Sequence, residues 1–235
     1  MNFKQGEIFA IDKPYRMSSF GALARVRYLL SRKVGEKVKI GHAGTLDPLA
    51  TGVLVLCTGK ATKQIEHLQT HVKEYVAGIQ LGATTASYDL EHPVNECFPT
   101  AHITRESIEQ ALPQFIGDIE QVPPTYSAVK INGDRAYTLR RKGRDVELRP
   151  KHVHIEQIDI IGFSADTMQL TLRVVCGKGT YIRALARDLG RALGSGAHLI
   201  SLRRTRVGEF TVDNSIGFDC VEEWLDNIDI ERTQE

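Results

Sequence analysis

The segment from Gly41 to Gly52, GHAGTLDPLATG, contains the residues of this chain that are best suited to chemistry. Three glycines and Pro48 either free or restrict its backbone, which favours a shaped loop over a helix or strand. Asp47 lies near the middle, and the proline after it biases it to an extended conformation. Taken alone, such an aspartate is more often a turn residue or an N-cap than a reactive carboxylate. His42 is likewise more often a hydrogen-bonded structural histidine than a catalyst.

A second candidate lies in the helix predicted over residues 180–193. Arg183, Arg187 and Arg191 recur every four residues and form a basic stripe opposite an apolar face. Arg183 lies in the first turn, where the helix dipole disfavours a cation. A carboxylate is the natural partner for such an arginine, although an arginine that simply reaches solvent is also consistent with the sequence.

The sequence contains incomplete versions of nucleotide-binding and metal-binding motifs. Gly59-Lys60 lacks the glycine that a phosphate-binding loop needs at position 54, and Ala61 stands where Ser or Thr would be required. The run over residues 177–182 lacks the third glycine of a dinucleotide fingerprint. His67 and His71 are four residues apart, but no third metal ligand is evident. These motifs are therefore rejected.

The distribution of charge is more informative than its sum. The formal net charge is +1, yet residues 207–235 hold nine acids and one base, which leaves +9 on residues 1–206. Residues 130–151 hold eight bases and three acids, and residues 173–206 hold eight bases and one acid. Two such segments suggest a polyanionic partner. An ordinary solvated surface with arginines on helix faces is the alternative.

Length and composition exclude several classes of protein. The 235 residues, 42% hydrophobic and 25% charged, are enough for a core. No apolar run reaches the ~18 residues of a membrane span, and the N-terminus lacks a basic region followed by an apolar stretch. The four cysteines lie far apart with no C-x-x-C pair, which argues against zinc or disulfides and predicts a cytoplasmic protein.

The elements that must position these residues do not alternate regularly between strand and helix. Strands are predicted over 7–11, 53–57, 74–81, 126–131, 153–162 and 168–176, and helices over 18–31, 104–115 and 180–193. We therefore expect an α+β fold with a mixed, largely antiparallel sheet flanked by helices. With no repeat or evident linker, residues 1–235 are predicted to form a single catalytic domain.

Six blocks of the sequence closely resemble, in order, the motifs of the TruB family of tRNA pseudouridine synthases. The catalytic block is residues 41–52 followed by Gly59-Lys60-Ala61-Thr62-Lys63. The other blocks are Asp12-Lys13-Pro14, Lys73-Glu74-Tyr75, residues 121–130, residues 179–183 and residues 198–205. The resemblance covers most of the chain, and six ordered blocks are far more specific than any single motif.

The resemblance implies the pseudouridine synthase fold and the conversion of uridine 55 in the tRNA T loop (tRNA numbering) to pseudouridine. Asp47 is then the essential nucleophile, and Arg183 is the cation that keeps its carboxylate charged and oriented. Tyr75 would stack on the flipped base, close to the proton-transfer step. The positions that line the uridine pocket or fill the space left by the flipped nucleotide are His42, Tyr181 and Leu202.

The resemblance also gives the basic segments a role. Residues 130–151 are similar to a mobile, thumb-like insertion that closes on the T arm, so phosphate contacts would position the stem. The residues expected to bind RNA are Lys130, Arg135, Arg140, Arg141, Arg144, Arg187, Arg203 and Arg204. The T-arm stem-loop of tRNA is the expected partner, with no metal, no organic cofactor, no membrane, no guide RNA and no obligate protein partner.

Three departures from the family pattern stand out. Position 16 is Arg where the family often has Gly, which puts the geometry of the first turn in question, and residues 84–92 match only loosely. Many bacterial members add a C-terminal RNA-binding domain of the PUA kind, and we expect none here because the chain ends soon after Trp224. Residues 207–235 form an acidic segment whose net charge of −8 would repel phosphate.

Other functions remain open from the sequence alone. A non-catalytic RNA-binding protein or tRNA folding helper would keep the basic surface without needing Asp47. The eukaryotic and archaeal relative that works with guide RNA is disfavoured by the short chain. In a carboxylate-pair glycosidase Asp89 would be the nearest downstream aspartate, but nothing indicates that it faces Asp47. Whether Asp47 adds to C6 of the base or acts at the ribose carbon is also undecided.

Overall fold

The structure is a computed structural model that describes residues 1–127, 130–131, 134–135 and 148–230. The chain divides into two compact units. Unit 1 comprises Met1–Tyr75 and Arg203–Glu235, and unit 2 comprises Val76–Leu202.

The secondary structure of the described residues mixes short and long strands with five α-helices. The strands are β1 (Ile8–Lys13), β2 (Ile40–His42), β3 (Ala50–Thr58), β4 (Lys73–Leu81), β5 (Ala83–Thr85), β6 (Val94–Cys97), β7 (Gly117–Gln121), β8 (Lys130–Ile131), β9 (Asp134–Arg135), β10 (Lys151–Ser164), β11 (Gln169–Cys176), β12 (Ala197–Val207), β13 (Phe210–Thr211) and β14 (Ile216–Gly217). The helices are α1 (Ser19–Val34), α2 (Ile65–Leu68), α3 (Arg105–Ala111), α4 (Ile182–Ala192) and α5 (Val221–Asp226). Strands β4 and β12 contribute residues to both units.

The sheet of unit 1 is built around β3, an apolar strand that is buried along nearly its whole length. β1 pairs with β3 in antiparallel fashion, with Lys13 opposite Gly52, and β14 runs parallel to β1. β2 is also antiparallel to β3, with His42 opposite Leu56. The loop between β2 and β3 therefore leaves the sheet at His42 and returns to it at Ala50.

Helix α1 covers the core of unit 1. It begins where the Ser18 side chain accepts a hydrogen bond from the backbone of Gly21, and it ends at Gly35, whose φ of 86° suits glycine. The apolar residues of its inner face are Ala22, Leu23, Val26, Leu29 and Leu30. They pack with Leu54 and Leu56 of β3 in one buried cluster, and this burial stabilises the helix in addition to its caps.

Unit 2 contains a long hairpin of β10 and β11, in which Ile155 lies opposite Cys176 and Ser164 opposite Gln169. β7 pairs with β10 in antiparallel fashion, and β4 lies next to β11. The alternation predicted for β11 is confirmed by the burial of Leu170, Leu172, Val174 and Cys176. The strand begins one residue later than predicted because Met168 has a left-handed φ of 51°.

The predicted α+β class, with a mixed and largely antiparallel sheet flanked by helices, is confirmed. The strand predicted over 126–131 is wrong at its start, because Tyr126 lies in a bend after Pro123-Pro124, and among the described residues of that range Lys130–Ile131 are strand. The predicted helix over 104–115 changes to a 3₁₀ turn at Leu112, since Pro113 cannot continue the α-helical hydrogen bonds. Residues 128–129, 132–133 and 136–147 of the predicted thumb lie outside the described residues.

Candidate active site

Asp47 lies in the loop between β2 and β3 of unit 1, which we call the Asp47 loop (residues 43–49). The backbone carbonyl of Asp47 accepts a hydrogen bond from Ala50 at 3.1 Å, so the segment does form a turn. The Asp47 side chain is half-buried. The turn and a reactive carboxylate are therefore compatible, because the turn uses the main chain and leaves part of the side chain accessible.

Ser19, at the start of α1, fixes one side of this loop. Its buried hydroxyl oxygen accepts a hydrogen bond from the backbone N–H of Leu46 at 2.8 Å and donates to the carbonyl of Leu46 at 2.9 Å. Both main-chain groups of the residue before Asp47 are thereby satisfied by one side chain. A helix start therefore positions the loop, a link that the sequence analysis missed although two adjacent serines mark that helix start.

Lys13, the last residue of β1, fixes the other side of the Asp47 loop. Its side chain is 0% exposed, and its ammonium donates to the carbonyls of Met17 at 2.6 Å, Pro14 at 2.8 Å and Pro48 at 3.4 Å. Burial lowers the pKa of Lys13 to about 8, against the opposing effect of the Asp47 charge. The sequence marked Lys13 as part of the Asp12-Lys13-Pro14 block, but not as a buried cation.

Arg204 of β12 is the largest fully buried side chain among the described residues. Its Nε donates to the carbonyl of Val53 at 2.7 Å and its Nη2 to the carbonyl of Gly44 at 3.1 Å. Gly52 makes room for the Arg204 backbone, because a Cβ at Gly52 would lie 2.1 Å from the Arg204 carbonyl oxygen. The arginine thus joins β3 to the beginning of the Asp47 loop.

Arg203 and Arg204 are neighbours on β12 but have different surroundings, as expected for successive strand residues. Arg203 is partly exposed and forms a bidentate pair with Asp12, at 2.7 and 3.2 Å, and a bond to Thr51 at 3.3 Å. Both arginines were predicted to bind RNA. For Arg204, 1% exposure does not favour direct contact with phosphate, and the prediction for both remains untested.

His42 and Tyr75 are the other predicted site residues of unit 1. Burial lowers the pKa of His42, and the nearby charge of Arg204 lowers it further, so the imidazole is neutral at pH 7. Tyr75 is 9% exposed on β4. Its neighbour Glu74 accepts a hydrogen bond from the Thr205 hydroxyl at 2.8 Å, which ties β4 to β12 within unit 1.

In unit 2, Arg183 at the start of α4 is 4% exposed and hydrogen-bonded. Its Nη1 donates to the carbonyl of Ser87 at 3.1 Å and its Nη2 to the carbonyl of Tyr126 at 2.8 Å. Asp89 Oδ2 lies 3.7 Å from Nε, and Asp89 Oδ1 also accepts a hydrogen bond from the Ser87 hydroxyl. The predicted carboxylate for this arginine therefore exists in unit 2, and the pairing of Arg183 with Asp47 stays a prediction.

Arg187, one helical turn further along α4, is 6% exposed. It donates to the carbonyl of Val122 at 2.8 Å, pairs with Asp188 at 2.8 Å and lies over the Tyr88 ring at 5.4 Å. Like Arg204, it is placed to hold the protein's own backbone, so its predicted role in RNA binding is not favoured by its burial and remains untested.

The remaining predicted site residues are placed as follows. The backbone N–H of Tyr181 donates to Gln121 at 2.8 Å directly before α4, and Leu202 is half-buried on β12. The backbones of Lys130 and Arg135 lie in the short hairpin of β8 and β9, whereas Arg140, Arg141 and Arg144 lie outside the described residues. Their predicted contacts with RNA stay predictions.

Two properties of the described ranges bear on cofactors and membranes. Within residues 1–127 and 148–230, no three His, Cys, Asp or Glu side chains come together in a way that could hold a metal ion. No helix in the same ranges has the length and apolar character needed to span a membrane.

Comparison with known proteins identifies the class. Residues 31–182 match the family described as TruB family pseudouridylate synthase (N terminal domain), and residues 183–232 match the tRNA pseudouridylate synthase B C-terminal domain. The tRNA pseudouridine synthase B of Phocaeicola vulgatus is 55% identical over 233 residues, which are 99% of this chain and 98% of the relative. The protein of the same name from Bacteroides thetaiotaomicron is 53% identical over 238 residues, 100% of this chain and 99% of the relative.

A solved structure has a fold similar to that of this chain. The chain is similar to one in the crystal structure of a Cbf5-Nop10-Gar1 complex, with a TM-score of 0.71 and 30% identity over 97% of this chain. It spans 58% of that longer chain. The fold and the matches define an isomerase that acts on uridine in RNA. The chain belongs to the TruB family of pseudouridylate synthases.

Proposed function

We propose that this enzyme converts uridine 55 in the T loop of tRNA to pseudouridine. The observation that carries the proposal is the Asp47 loop, whose backbone is held by the buried side chains of Lys13, Ser19 and Arg204. Relatives that are 53–55% identical over the whole chain carry the name tRNA pseudouridine synthase B, which supports tRNA as the substrate.

In this proposal Asp47 is the nucleophile. The N1–C1′ glycosidic bond breaks, the base rotates, and C5 bonds to C1′ in its place. The hydrogen on C5 leaves as a proton and N1 gains one, so product and substrate have the same atoms. Asp47 bonds to C6 of the base or to the ribose carbon and is released unchanged. A half-buried carboxylate suits this role because the substrate can still reach it.

Buried cations hold the Asp47 loop. Lys13 and Arg204 are both buried, and the Coulombic attraction of Asp47 opposes the effect of burial on the pKa of Lys13. We further propose that Arg183 orients Asp47 during the reaction. Its guanidinium is already fixed by Asp89 and by two carbonyls, so little side-chain entropy would be lost when it meets the carboxylate.

The other predicted residues have roles in holding the base. Tyr75 stacks on the flipped uracil, and neutral His42, with Tyr181 and Leu202, lines the space it enters. Residues 130–151 close on the T arm, and the arginines of that segment contact phosphates. Neither guide RNA nor a protein partner is part of this proposal. The cytoplasmic location and the single catalytic domain also stay predictions.

Tritium release tests the activity and the nucleophile together. A T-arm stem-loop with [5-³H]uridine is incubated with the native chain, with Asp47→Asn and with the control Asp166→Asn, which changes an exposed aspartate of unit 2. We expect one equivalent of tritium per RNA from the native chain and the control, and none from Asp47→Asn. A stem-loop with cytidine at position 55 should release no tritium if the site is correct.

A binding protein without activity is the main alternative. It predicts no tritium release from either the stem-loop or full-length tRNA, with equal RNA affinity for the native chain and Asp47→Asn. Release from full-length tRNA but not from the stem-loop would keep the activity and correct the claim that the T arm is sufficient.

A further inference from the structure

Three aromatic side chains are exposed on α1 and on the turn before it. Tyr15 is 49% exposed, Phe20 66% and Tyr28 59%. Phe20 and Tyr28 are eight residues apart, so they lie on the same side of the helix about two turns apart. The core of unit 1 uses the opposite side of α1, so core packing does not explain these rings, although Arg32 lies 5.9 Å from the centre of the Tyr28 ring.

The charge on this side of α1 has one sign. No acidic residue occurs between Ser19 and Val34. Arg32 and Lys33, in the last turn, are paired with Glu222 and Asp226 of α5. Arg16, Arg25 and Arg27, in contrast, form no ion pair with any residue that the structure describes. The unpaired cations therefore lie near the exposed rings.

The turn before α1 is strained in a way that exposes a cation. Arg16 has a φ of 60°, in the left-handed region that favours glycine, and its guanidinium lies 5.6 Å from the centre of the Tyr15 ring. The backbone of the first turn therefore has the conformation that glycine favours, although position 16 is Arg.

The same turn is hydrogen-bonded to the Asp47 loop within unit 1. The Lys13 ammonium donates to Pro14 and Met17 on the two sides of Tyr15 and Arg16, and also to Pro48. Ser19, next to Phe20, binds both main-chain groups of Leu46. The side chains of Lys13 and Ser19 therefore connect this turn and the start of α1 to the loop that carries the candidate nucleophile.

We propose that Tyr15, Arg16, Phe20, Arg27 and Tyr28 form a surface, the α1 face, that binds unpaired nucleotides of the substrate tRNA. Bases stack on the rings and phosphates contact the guanidinium groups, a combination used for single-stranded nucleic acid. The absence of acidic residues along α1 matches a polyanion. The proposal rests on the proposed function for its substrate, and it adds a contact outside the uridine site and the thumb.

The test compares the RNA affinity of a triple variant of the α1 face with that of a double variant that serves as the control. Arg16→Gly/Phe20→Ala/Tyr28→Ala removes three of the five residues of the α1 face, and Arg105→Gln/Ile161→Thr changes an exposed arginine and an exposed apolar residue of unit 2. Because φ at position 16 suits glycine and both rings are exposed, the first variant should fold, which circular dichroism and thermal unfolding verify. The dissociation constant for an unmodified tRNA transcript is measured at several salt concentrations.

We expect the dissociation constant of the α1-face variant to rise at least about tenfold, from lost stacking. The slope of log affinity against log salt should become shallower by about one, from the lost arginine. The control should change less than twofold. Photo-crosslinking of 4-thiouridine tRNA to the native chain should label peptides that contain Tyr15 or Tyr28.

Separate readouts distinguish failure of this inference from failure of the proposed function. Tritium release by the native chain from the same tRNA reports the function, whereas affinity and crosslinks report the α1 face. Native-like affinity in the triple variant would overturn the inference even if turnover is normal. A second result would also overturn it: a dimeric native chain and a monomeric triple variant with the same RNA affinity. The α1 face would then bind a second copy of the chain.

Discussion

The Asp47 loop of unit 1 and the segment over residues 122–126 of unit 2 are both held by buried cations, but their charges are balanced differently. In unit 1, Lys13 and Arg204 donate to backbone carbonyls, and neither forms an ion pair within the described part of the chain. Both cations are buried, and the negative charges that act on Lys13 are those of Asp47 and Asp12.

In unit 2, Arg183 and Arg187 donate to the carbonyls of Tyr126 and Val122, yet each also has a carboxylate beside it. Asp89 lies 3.7 Å from Arg183 and Asp188 lies 2.8 Å from Arg187. A buried ion pair contributes little net stability, but removal of one partner leaves a buried charge uncompensated. The comparison teaches that unit 2 is built as a clamp in which each arginine has a carboxylate beside it, whereas the cations that hold the Asp47 loop are bonded to backbone carbonyls.

The largest expected effect is on the packing that underlies the Asp47 loop. Gly52→Ala would place a Cβ 2.1 Å from the Arg204 carbonyl oxygen, at a φ of 103°. We expect the free energy of unfolding to fall by about 4 kcal/mol or more, or the protein not to fold. The matched control is Gly35→Ala, which has φ of 86° but nothing within 4 Å of its Cβ, and should cost only about 1 kcal/mol. Equal losses in urea unfolding would show that the close approach of Arg204 is unimportant.

The second largest effect is expected from replacing the buried Arg204 itself. Arg204→Met removes the donors to Val53 and Gly44 and leaves both carbonyls unsatisfied, so we expect a loss of about 3 kcal/mol in the free energy of unfolding. Arg203→Met, on the neighbouring position of β12, breaks a partly exposed ion pair and should cost less than about 1 kcal/mol. If the two variants unfold at the same urea concentration, the distinction between them is wrong.

A smaller effect is expected in the clamp of unit 2. Asp89→Asn keeps the shape of the side chain but removes the charge beside Arg183, and should cost about 2 kcal/mol because a buried cation loses its carboxylate. Asp188→Asn, at a carboxylate that is 27% rather than 10% exposed, serves as the control and should cost about half as much. A stability unchanged by Asp89→Asn would mean that the arginine is balanced by another group.

The sequence was sufficient for the fold class and for the family, because apolar periodicity and six ordered motifs are local signals. It was less informative about why the site has its shape. Arg204 was grouped with RNA-binding residues since an arginine in a basic run carries no sign of burial. Lys13 and Ser19 acquire their roles only when β1 and α1 lie against the Asp47 loop, and Asp89 gained its partner through a long-range contact. Such contacts have no local pattern.

The smallest and most specific effect is the pH dependence of Lys13. Burial lowers the pKa of Lys13 to about 8 in the folded protein, from 10.5 in the unfolded chain. Between these two pH values the unfolded state binds more protons, so the stability of the native chain should rise with pH relative to Lys13→Met. Urea unfolding of both proteins between pH 7 and 11 measures this difference, in which the other titrating groups cancel. A difference that falls across this range would mean that attraction to Asp47 outweighs burial.

Asp47→Asn sharpens the same measurement. The charge of Asp47 opposes the effect of burial on Lys13, so its removal should lower the pKa of Lys13 further. The rise in stability relative to the matching Lys13→Met double variant should then begin at a lower pH than in the native background. Asp118→Asn, which changes an exposed aspartate paired with His154 in unit 2, should leave the onset where it is. An onset that is the same in all three backgrounds would show that Asp47 and Lys13 do not interact, and would remove the electrostatic distinction between the Asp47 loop and the clamp of unit 2.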